Sequence, residues 1–200
     1  MMRLRHSPTS PFVRKVMVVL HETGQADQVA LEDGSTTPYD VNPGVLEINP
    51  LGKVPCLMTD AGLALYDSTV ITRYLDGLHA GPKLYPSGDA EFPALVMEAT
   101  GNAMMEAAIA VVYEGRLREE AKRSEEWMAA QRAKIARALD MLEGRKFADA
   151  LDIGQISVGC ALGYIDFRMA DWNWRSSRPN LAGFARRLLK RPAFEATAPA

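Results

Sequence analysis

The chain has 200 residues, 48% of them hydrophobic, which is enough to fill one large core or two small ones. Its 23 basic and 25 acidic residues give a net charge of −2, so we expect neither a nucleic-acid partner nor attraction to an acidic membrane surface. The first residues lack the apolar core of a signal peptide and no apolar run approaches the roughly 18 residues of a membrane span, so we predict a cytoplasmic protein.

Cysteine and histidine usage argues against redox and metal chemistry. Cys56 and Cys160 lie far apart and belong to no Cys-x-x-Cys pair, so both are predicted to be core thiols. The three histidines, His6, His21 and His79, show no spacing suited to a metal ion. We therefore predict no metal site.

The first part of the chain alternates short β-like runs with helical ones. Residues 3–6 and 29–32 are predicted to be strands, and between them a helix opens at Pro11 and runs to about Glu22, with Gly24 just past its end. This order is a βαβ unit.

A hairpin and a third helix follow. The runs 56–59 and 63–66 flank the turn 60–62, and Asp67-Ser68 can cap a helix that continues to Leu78 with its apolar residues on one side. The turn-rich stretch 38–44 comes before the hairpin. The second half of this domain is therefore ββα.

No convincing strand follows Leu78, so the sequence predicts an α+β protein of two domains. We place the first domain at residues 1–79, a linker rich in Gly and Pro at 80–87, and an all-helical bundle at 88–200. The predicted helices of the bundle occupy residues 91–118, 124–144, 157–167 and 181–190.

One candidate site is the turn from Ser7 to Lys15, where a strand leads into a helix N-terminus. Free backbone N–H groups and the positive end of the helix dipole favour an anion there, and Ser10 adds a hydroxyl. The alternative is that Ser10 only caps the helix. Arg14 and Lys15 put positive charge in the first turn, which predicts either a compensating negative group or side chains that reach away to solvent or to acidic neighbours.

A second candidate is the turn Asn49-Pro50-Leu51-Gly52-Lys53-Val54-Pro55, which delivers the chain into a strand through a Val-Pro bond. A cis bond at this place would present backbone N–H and C=O groups to a peptide ligand. Spacing alone gives the cis isomer only the base rate of roughly one X-Pro bond in twenty.

Taken together, this turn, the hairpin and Asp67-Ser68 resemble the glutathione-binding half of the cytosolic glutathione S-transferases. The turn Ser10 to Arg14 resembles the serine-type active-site turn of their theta, zeta and omega-like classes, as found in bacterial members. The segments 156–162 and 191–194 resemble the helix-capping segment of their second domain and their common C-terminal ending. The similarity spans nearly all of residues 2 to 196.

The resemblance implies a thioredoxin-like first domain, the all-helical second domain and a glutathione site. Val54, beside a cis Pro55, would pair its main chain with the cysteinyl part of glutathione. Asp67 and Ser68 would receive the amine and the α-carboxylate of the γ-glutamyl end, and Phe12 and Lys53 would lie nearby.

In the same comparison Ser10 would donate a hydrogen bond to the glutathione thiolate, which is the nucleophile. Ser7 and Thr9 share its turn, so the sequence leaves open which hydroxyl faces the sulfur. For the second substrate, a small hydrophobic electrophile, the candidate wall residues are Asn102, Met105 and Tyr113, although ordinary helix packing explains Met105 equally well.

The chain departs from the family pattern at two places. Asp67 stands where the family often has Glu, which predicts a longer or water-bridged contact with the amine. Cys160 replaces the acid of the Ser/Thr-x-x-Asp capping segment, so Ser157 is expected to cap its helix without a reciprocal partner.

The predicted function is a glutathione transferase that adds glutathione to an electrophile, as in detoxification, and acts as a homodimer. A glutathione-dependent isomerase, dehalogenase or peroxidase is an alternative, and so is a binding protein for glutathione or hydrophobic ligands without catalysis. A third alternative keeps the fold for protein–protein contact only, against which the intact Val54-Pro55 and Asp67-Ser68 set argues. Glutathione is expected as co-substrate.

Overall fold

The computed structural model describes residues 1–199, which form two compact units. The first unit comprises Met1–Tyr85 together with the C-terminal segment from Pro192 onward, and the second comprises Pro86–Arg191. The first unit holds four strands and four helices, which are β1 (Met2–His6), α1 (Pro11–Glu22), β2 (Val29–Asp33), α2 (Pro43–Leu46), β3 (Cys56–Met58), β4 (Ala64–Leu65), α3 (Ser68–Leu78) and α8 (Pro192–Ala196).

The four strands form one mixed sheet in the order β2-β1-β3-β4. β1 and β2 are parallel, as a βαβ crossover through α1 requires, while β3 is antiparallel to both β1 and β4. Alternate residues of β1, such as Leu4, are buried. The predicted βαβ-ββα order and the mixed fold class are confirmed.

Helix α1 forms where its local signals predict it. Ser10 is the N-cap, Pro11 occupies the first helical position, and Thr23 follows the last turn. Valines on one side of the helix, including Val13 and Val16, are almost fully buried, so this face packs in the core of the first unit.

The second unit is entirely helical among its described elements, apart from short 3₁₀ turns. Its helices are α4 (Glu91–Leu117), α5 (Glu125–Glu143), α6 (Ile153–Arg168) and α7 (Pro179–Leu188). α4 and α6 approach so closely that a Cβ on Gly101 would lie 2.5 Å from the carbonyl carbon of Ser157. Glycine at this position is therefore what allows the two helices to touch.

The prediction that Ser157 caps α6 is wrong, because the helix begins five residues earlier. Asp152 is the N-cap, and its carboxylate accepts the backbone N–H of Gln155 at 2.8 Å. Ser157 is buried inside the helix, where its hydroxyl contacts Glu98 O at 3.1 Å and Asn102 Oδ1 at 2.9 Å. The serine joins α6 to α4 instead of starting α6.

The unit division falls after Tyr85, inside the predicted linker 80–87, while the C-terminal segment from Pro192 packs in the first unit although we placed it with the bundle.

The turn-rich stretch 38–44 also contains an element that we did not predict. Asn42 caps the short helix α2, and its side chain accepts the N–H of Gly44 at 2.9 Å.

By length and composition alone, the segment Gly88–Leu117 could cross a bilayer, with a mean hydropathy of 1.3 over its most apolar window. This is weak evidence for a membrane, since core helices of soluble proteins have the same length and composition and 44% of this apolar stretch is buried inside the protein. We had expected no such segment from the sequence.

Candidate functional site

Three turns of the first unit meet at one end of the sheet, where β1 and β4 end and β3 begins. Arg5, near the end of β1, pairs with Cys56, the first residue of β3, and Leu65, the last residue of β4, pairs with Leu57. The turn after β1, the turn before β3 and the turn after β4 therefore lie side by side. These turns carry the Ser10, Val54 and Asp67 segments that the sequence singles out.

Ser10 keeps a hydrogen-bond donor available at the first of these turns. Its Oγ accepts the backbone N–H of Val13 at 3.3 Å, which is ordinary capping geometry. Its hydroxyl hydrogen has no acceptor among residues 1–199. Ser10 therefore caps α1 and can still donate to a ligand, so the two readings of this residue are compatible.

The turn before β3 is fixed by Asn49. Its side chain donates to Lys53 O at 2.9 Å and accepts the Leu51 N–H at 3.0 Å. Gly52 adopts a positive φ of 63°, where a Cβ would also lie 2.7 Å from a methyl group of Val41. The sequence Asn-Pro-Leu-Gly therefore builds a rigid turn ahead of Val54.

Val54 presents its main chain at the same end of the sheet, just before β3. The Val54–Pro55 peptide bond is cis, as the family resemblance implies. Within the described chain, the backbone N–H and C=O of Val54 make no hydrogen bond. An extended peptide can pair with these two groups as an added strand would.

The third turn leads into α3 through Asp67 and Ser68. Asp67 is exposed, caps α3, and accepts the N–H of Thr69 with one carboxylate oxygen at 2.9 Å. The Tyr66–Asp67 peptide bond is also cis, which nothing in the sequence indicates. Ser68 is buried, and its hydroxyl has no hydrogen-bonding partner in the described part of the chain.

Arg14 and Lys15, near the start of α1, both make contacts inside the first unit. Arg14 is buried, donates to Phe194 O at 3.1 Å and lies 5.7 Å from the centroid of the Phe194 ring. Lys15 has no exposed surface, and its Nζ contacts Thr69 Oγ1 at 3.5 Å. Of the alternatives left open by the sequence, the one in which these side chains reach solvent is wrong, because both cross to neighbouring elements.

Lys15 belongs to the candidate turn that the sequence singles out, but its contact with α3 was not predicted. Its contact with Thr69 places a buried amino group against the first turn of α3, next to Ser68. A cation in the interior is rare unless it is paired or hydrogen-bonded. Nothing in the sequence around Lys15 predicts this contact, because Lys15 and Thr69 are 54 residues apart in the chain.

This end of the sheet offers a set of groups suited to a short anionic peptide with a thiol. A free N–H and C=O pair can hold the peptide backbone, and a carboxylate can hold an amine. The N-termini of α1 and α3 favour negative charge. A serine hydroxyl at one of these termini can donate to a thiolate.

Comparison with known proteins agrees with this chemistry. Residues 4–83 match the N-terminal domain model of the glutathione S-transferases, and residues 125–187 match their C-terminal domain model. An uncharacterized GST-like protein of Escherichia coli K12, YibF, is 35% identical over 99% of this chain and 98% of its own length. The chain belongs to the glutathione S-transferase family.

Solved structures of family members extend the comparison. A glutathione transferase family member from Pseudomonas fluorescens Pf-5, crystallised with bound glutathione, is 45% identical, covers both chains completely and superposes with a TM-score of 0.98. A glutathione S-transferase from Methylobacillus flagellatus with bound glutathione is 33% identical over the whole of both chains, with a TM-score of 0.88.

The remaining glutathione-site candidates of this family member have mixed exposure. Pro55 is buried at the start of β3, Phe12 is half-buried in the first turn of α1, and Lys53 is exposed. Ser7 and Thr9 are neither fully exposed nor buried, so the structure leaves the choice of hydroxyl open. Direct contact of these residues with glutathione stays a prediction.

The cysteines do not supply the chemistry of the site. Both thiols are buried, and burial raises the pKa of Cys56 to about 11, which keeps it protonated at neutral pH. Among residues 1–199, no group of three or more His, Cys, Asp or Glu side chains is arranged to hold a metal ion.

The candidate second-substrate residues all lie on α4. Met105 has no exposed surface, Asn102 accepts the hydrogen bond from Ser157, and Tyr113 is half-buried, where burial raises its pKa. Met105 thus has the surroundings of a core residue. The role of all three against a second substrate stays a prediction.

Proposed function

We propose that this protein is a glutathione transferase in which Ser10 stabilises the thiolate of bound glutathione for attack on a small electrophile. The observation that carries the proposal is the hydroxyl of Ser10, which is fixed at the N-terminus of α1 with its hydrogen unused by the described residues. Glutathione in the solved relatives supports the identity of the thiol.

Glutathione would bind in an extended conformation at this end of the sheet, paired with the main chain just before β3. Its cysteinyl backbone would pair with the free N–H and C=O of Val54, and its α-carboxylate would accept hydrogen bonds from the Ser68 hydroxyl and backbone N–H. The second carboxylate oxygen of Asp67 would accept the γ-glutamyl amine. The amino group of Lys15, against Thr69 Oγ1 at 3.5 Å, is a further hydrogen-bond donor next to Ser68.

The energetic demand on Ser10 is moderate. A thiol with a pKa of about 8.5 is only a few per cent ionised at pH 7, and lowering this pKa by about two units stabilises the thiolate by roughly 2.7 kcal/mol. A hydrogen bond to a charged acceptor contributes roughly 1.5–3 kcal/mol, and the end of the helix dipole adds to it. One hydroxyl together with one helix N-terminus is therefore sufficient to stabilise the thiolate to this extent.

The reaction can be written with a chloronitrobenzene as the probe electrophile. The thiol loses its proton to solvent, the sulfur forms a bond to the ring carbon that carries chlorine, and the carbon–chlorine bond breaks as chloride leaves with its electron pair. The thiolate of glutathione is the nucleophile, and no protein side chain forms a covalent bond.

The decisive test replaces Ser10 by Ala. We expect Ser10→Ala to retain glutathione binding by calorimetry, to raise the pKa of the bound thiol measured by ultraviolet absorbance, and to lower kcat/KM about 10- to 100-fold at pH 6.5. Ser7→Ala and Thr9→Ala are the matched controls, since they remove hydroxyls from the same turn. Unchanged turnover of every active electrophile in Ser10→Ala would refute this role.

The class of product can be tested in the same assay. A Pseudomonas fluorescens relative 44% identical to this chain was crystallised with S-(propanoic acid)-glutathione, a thioether of glutathione. This supports a product of the same class, so the panel should include electrophiles bearing a short carboxylic acid beside the chloronitrobenzene. Tight glutathione binding with no turnover of any electrophile, peroxide or haloacid would favour a binding protein instead.

We further propose that the protein acts in the cytoplasm as a homodimer. Both assignments are supported by the resemblance to the cytosolic glutathione S-transferases. Cell fractionation tests the first assignment, and sedimentation tests the second.

A further inference from the structure

The helical unit contains a cavity whose lining has an unusual charge. A solvent-open cavity of about 470 Å³ lies among the ends of α4 and α6 and the beginning of α5. This volume is within the range of small-molecule sites. Its charged lining residues are Arg116, Arg123, Arg132, Arg168, Glu125 and Asp171.

The positive side chains of this cavity outnumber the negative ones by four to two. The chain as a whole has a net charge of −2, so the local charge is opposite in sign to that of the molecule. Like charges brought together repel, and an excess of guanidinium groups around one cavity favours an anionic occupant.

Several of these arginines have unused hydrogen-bond donors. Within residues 1–199, Arg116 and Arg132 form neither a hydrogen bond nor an ion pair. The Nε of Arg168 is buried without a partner, and its guanidinium lies 4.1 Å from the centroid of the Phe167 ring. Arg123 is anchored, since its Nε donates to Arg118 O at 3.2 Å.

Arg116 and Arg168 line the same cavity although they come from different helices. The pKa of Tyr164 is raised by burial, and the charges of Arg168 and Arg116, together with a hydrogen bond from Arg168, act in the opposite direction. The side chains at the end of α4 and the end of α6 therefore face one region. Guanidinium groups that line one cavity can donate hydrogen bonds to the oxygens of a carboxylate.

The cavity also has an apolar wall. Val111 of α4 and Met128 of α5 are buried and line it, and Phe167 and Met169 contribute from the end of α6. Methionine adapts its shape to apolar ligands, and an aromatic ring can stack on a flat one. The lining thus combines guanidinium donors with an apolar surface.

We propose that this cavity binds a small organic carboxylate with an aromatic or aliphatic body. The carboxylate contacts Arg116, Arg132 and Arg168, while the apolar body lies against Met128 and Phe167. All the lining residues belong to the helical unit, so the proposal does not depend on the glutathione chemistry of Ser10.

The test measures binding of 2-naphthoate by calorimetry to the full-length protein, with the neutral 2-naphthamide as the comparison ligand. We expect 2-naphthoate to bind the unmodified protein and the amide to bind at least about tenfold more weakly. The double variant Arg116→Gln/Arg132→Gln should weaken 2-naphthoate binding at least about tenfold and leave amide binding unchanged.

The control is the double variant Lys134→Gln/Arg137→Gln, which removes the same charge from the exposed part of α5 without touching the cavity lining. It should bind 2-naphthoate as the unmodified protein does, and saturating glutathione should not displace the ligand. Arg116 and Arg132 are both exposed, so we expect their variants to keep the thermal midpoint. Absence of binding, an equal loss in both double variants, or displacement by glutathione would overturn the proposal.

Discussion

His6 is a residue whose burial predicts a pH dependence of stability. It is the last residue of β1 and is half-buried, and its pKa is lowered by burial, with the charge of Asp33 acting in the opposite direction. A histidine with a folded-state pKa below its unfolded value of about 6.5 binds fewer protons when folded. Its stabilising contribution is therefore complete above pH 6.5 and is lost as the pH falls through the folded-state pKa.

Urea unfolding between pH 5 and pH 8 measures this effect. We expect the free energy of unfolding to decrease below about pH 6.5 in the unmodified protein and to decrease less in His6→Gln. His21→Gln is the control, because His21 is exposed on α1. If the curves of the unmodified protein and His6→Gln run parallel, His6 does not titrate differently in the two states.

At the scale of single residues, the sequence predicts the groups that follow local rules. Ser10 and Asp67 cap their helices because each stands directly before a first helical turn, which is visible in the sequence. The destinations of Arg14 and Lys15 are not visible, since their partners Phe194 and Thr69 lie 180 and 54 residues away. No local pattern specifies which distant element a long side chain will reach.

The start of α6 is an element whose stability depends on one cap. Asp152 accepts the N–H of Gln155, and the Gln155 side chain reaches back to Ala148 O at 3.0 Å and Ala150 O at 2.8 Å. We expect Asp152→Ala to lower the free energy of unfolding by about 0.5–2 kcal/mol, as measured by urea titration with circular dichroism.

Asp152→Asn is the matched variant, because an amide oxygen can still accept the Gln155 N–H. Burial raises the pKa of the Asp152 carboxyl, so removing its charge also removes a desolvation cost. Asp152→Asn should therefore be clearly more stable than Asp152→Ala. Equal stability of the two variants would show that capping is not what Asp152 contributes.

The contrast between α1 and α6 shows which elements a sequence predicts well. α1 is amphipathic and bounded by Pro11 and Gly24, so both of its ends could be predicted. α6 is buried on nearly all sides, and without a polar face its periodicity gives no boundary. The Asp-x-x-Gln pattern at residues 152–155 was the available signal, since it is a variant of the capping box.

At the scale of the molecule, the sequence predicted the βαβ-ββα order and the helical bundle, and the structure joins the four strands in one mixed sheet. A parallel βαβ unit and an antiparallel hairpin leave few ways to arrange four strands. The return of the C-terminal segment to the first unit was not predicted, because Arg191-Pro192 only signals that α7 ends. The packing of α8 depends on a buried Phe194 and its contact with Arg14, which only the folded chain brings together.

The homodimer remains a proposal, and exposed apolar residues of α4 give it a test. Phe92 is 72% exposed and Val96, one turn later on the same face, is 57% exposed. Aromatic residues are enriched at interfaces, and a large aromatic ring so fully exposed on a single chain is accounted for if a partner covers it. We expect the protein to sediment as a dimer and Phe92→Ser to weaken dimerisation at least about tenfold.

Trp127→Ser on α5 is the control, since it also removes an aromatic ring with 43% exposure. It should leave the dimer intact, because Trp127 lies outside the face of α4, carrying Phe92 and Val96, that we expect to form the interface. Circular dichroism of both variants checks that each remains folded, so that a loss of mass reflects dissociation and not unfolding. A monomeric unmodified protein would refute the homodimer, and a dimer unaffected by Phe92→Ser would place the interface on another surface.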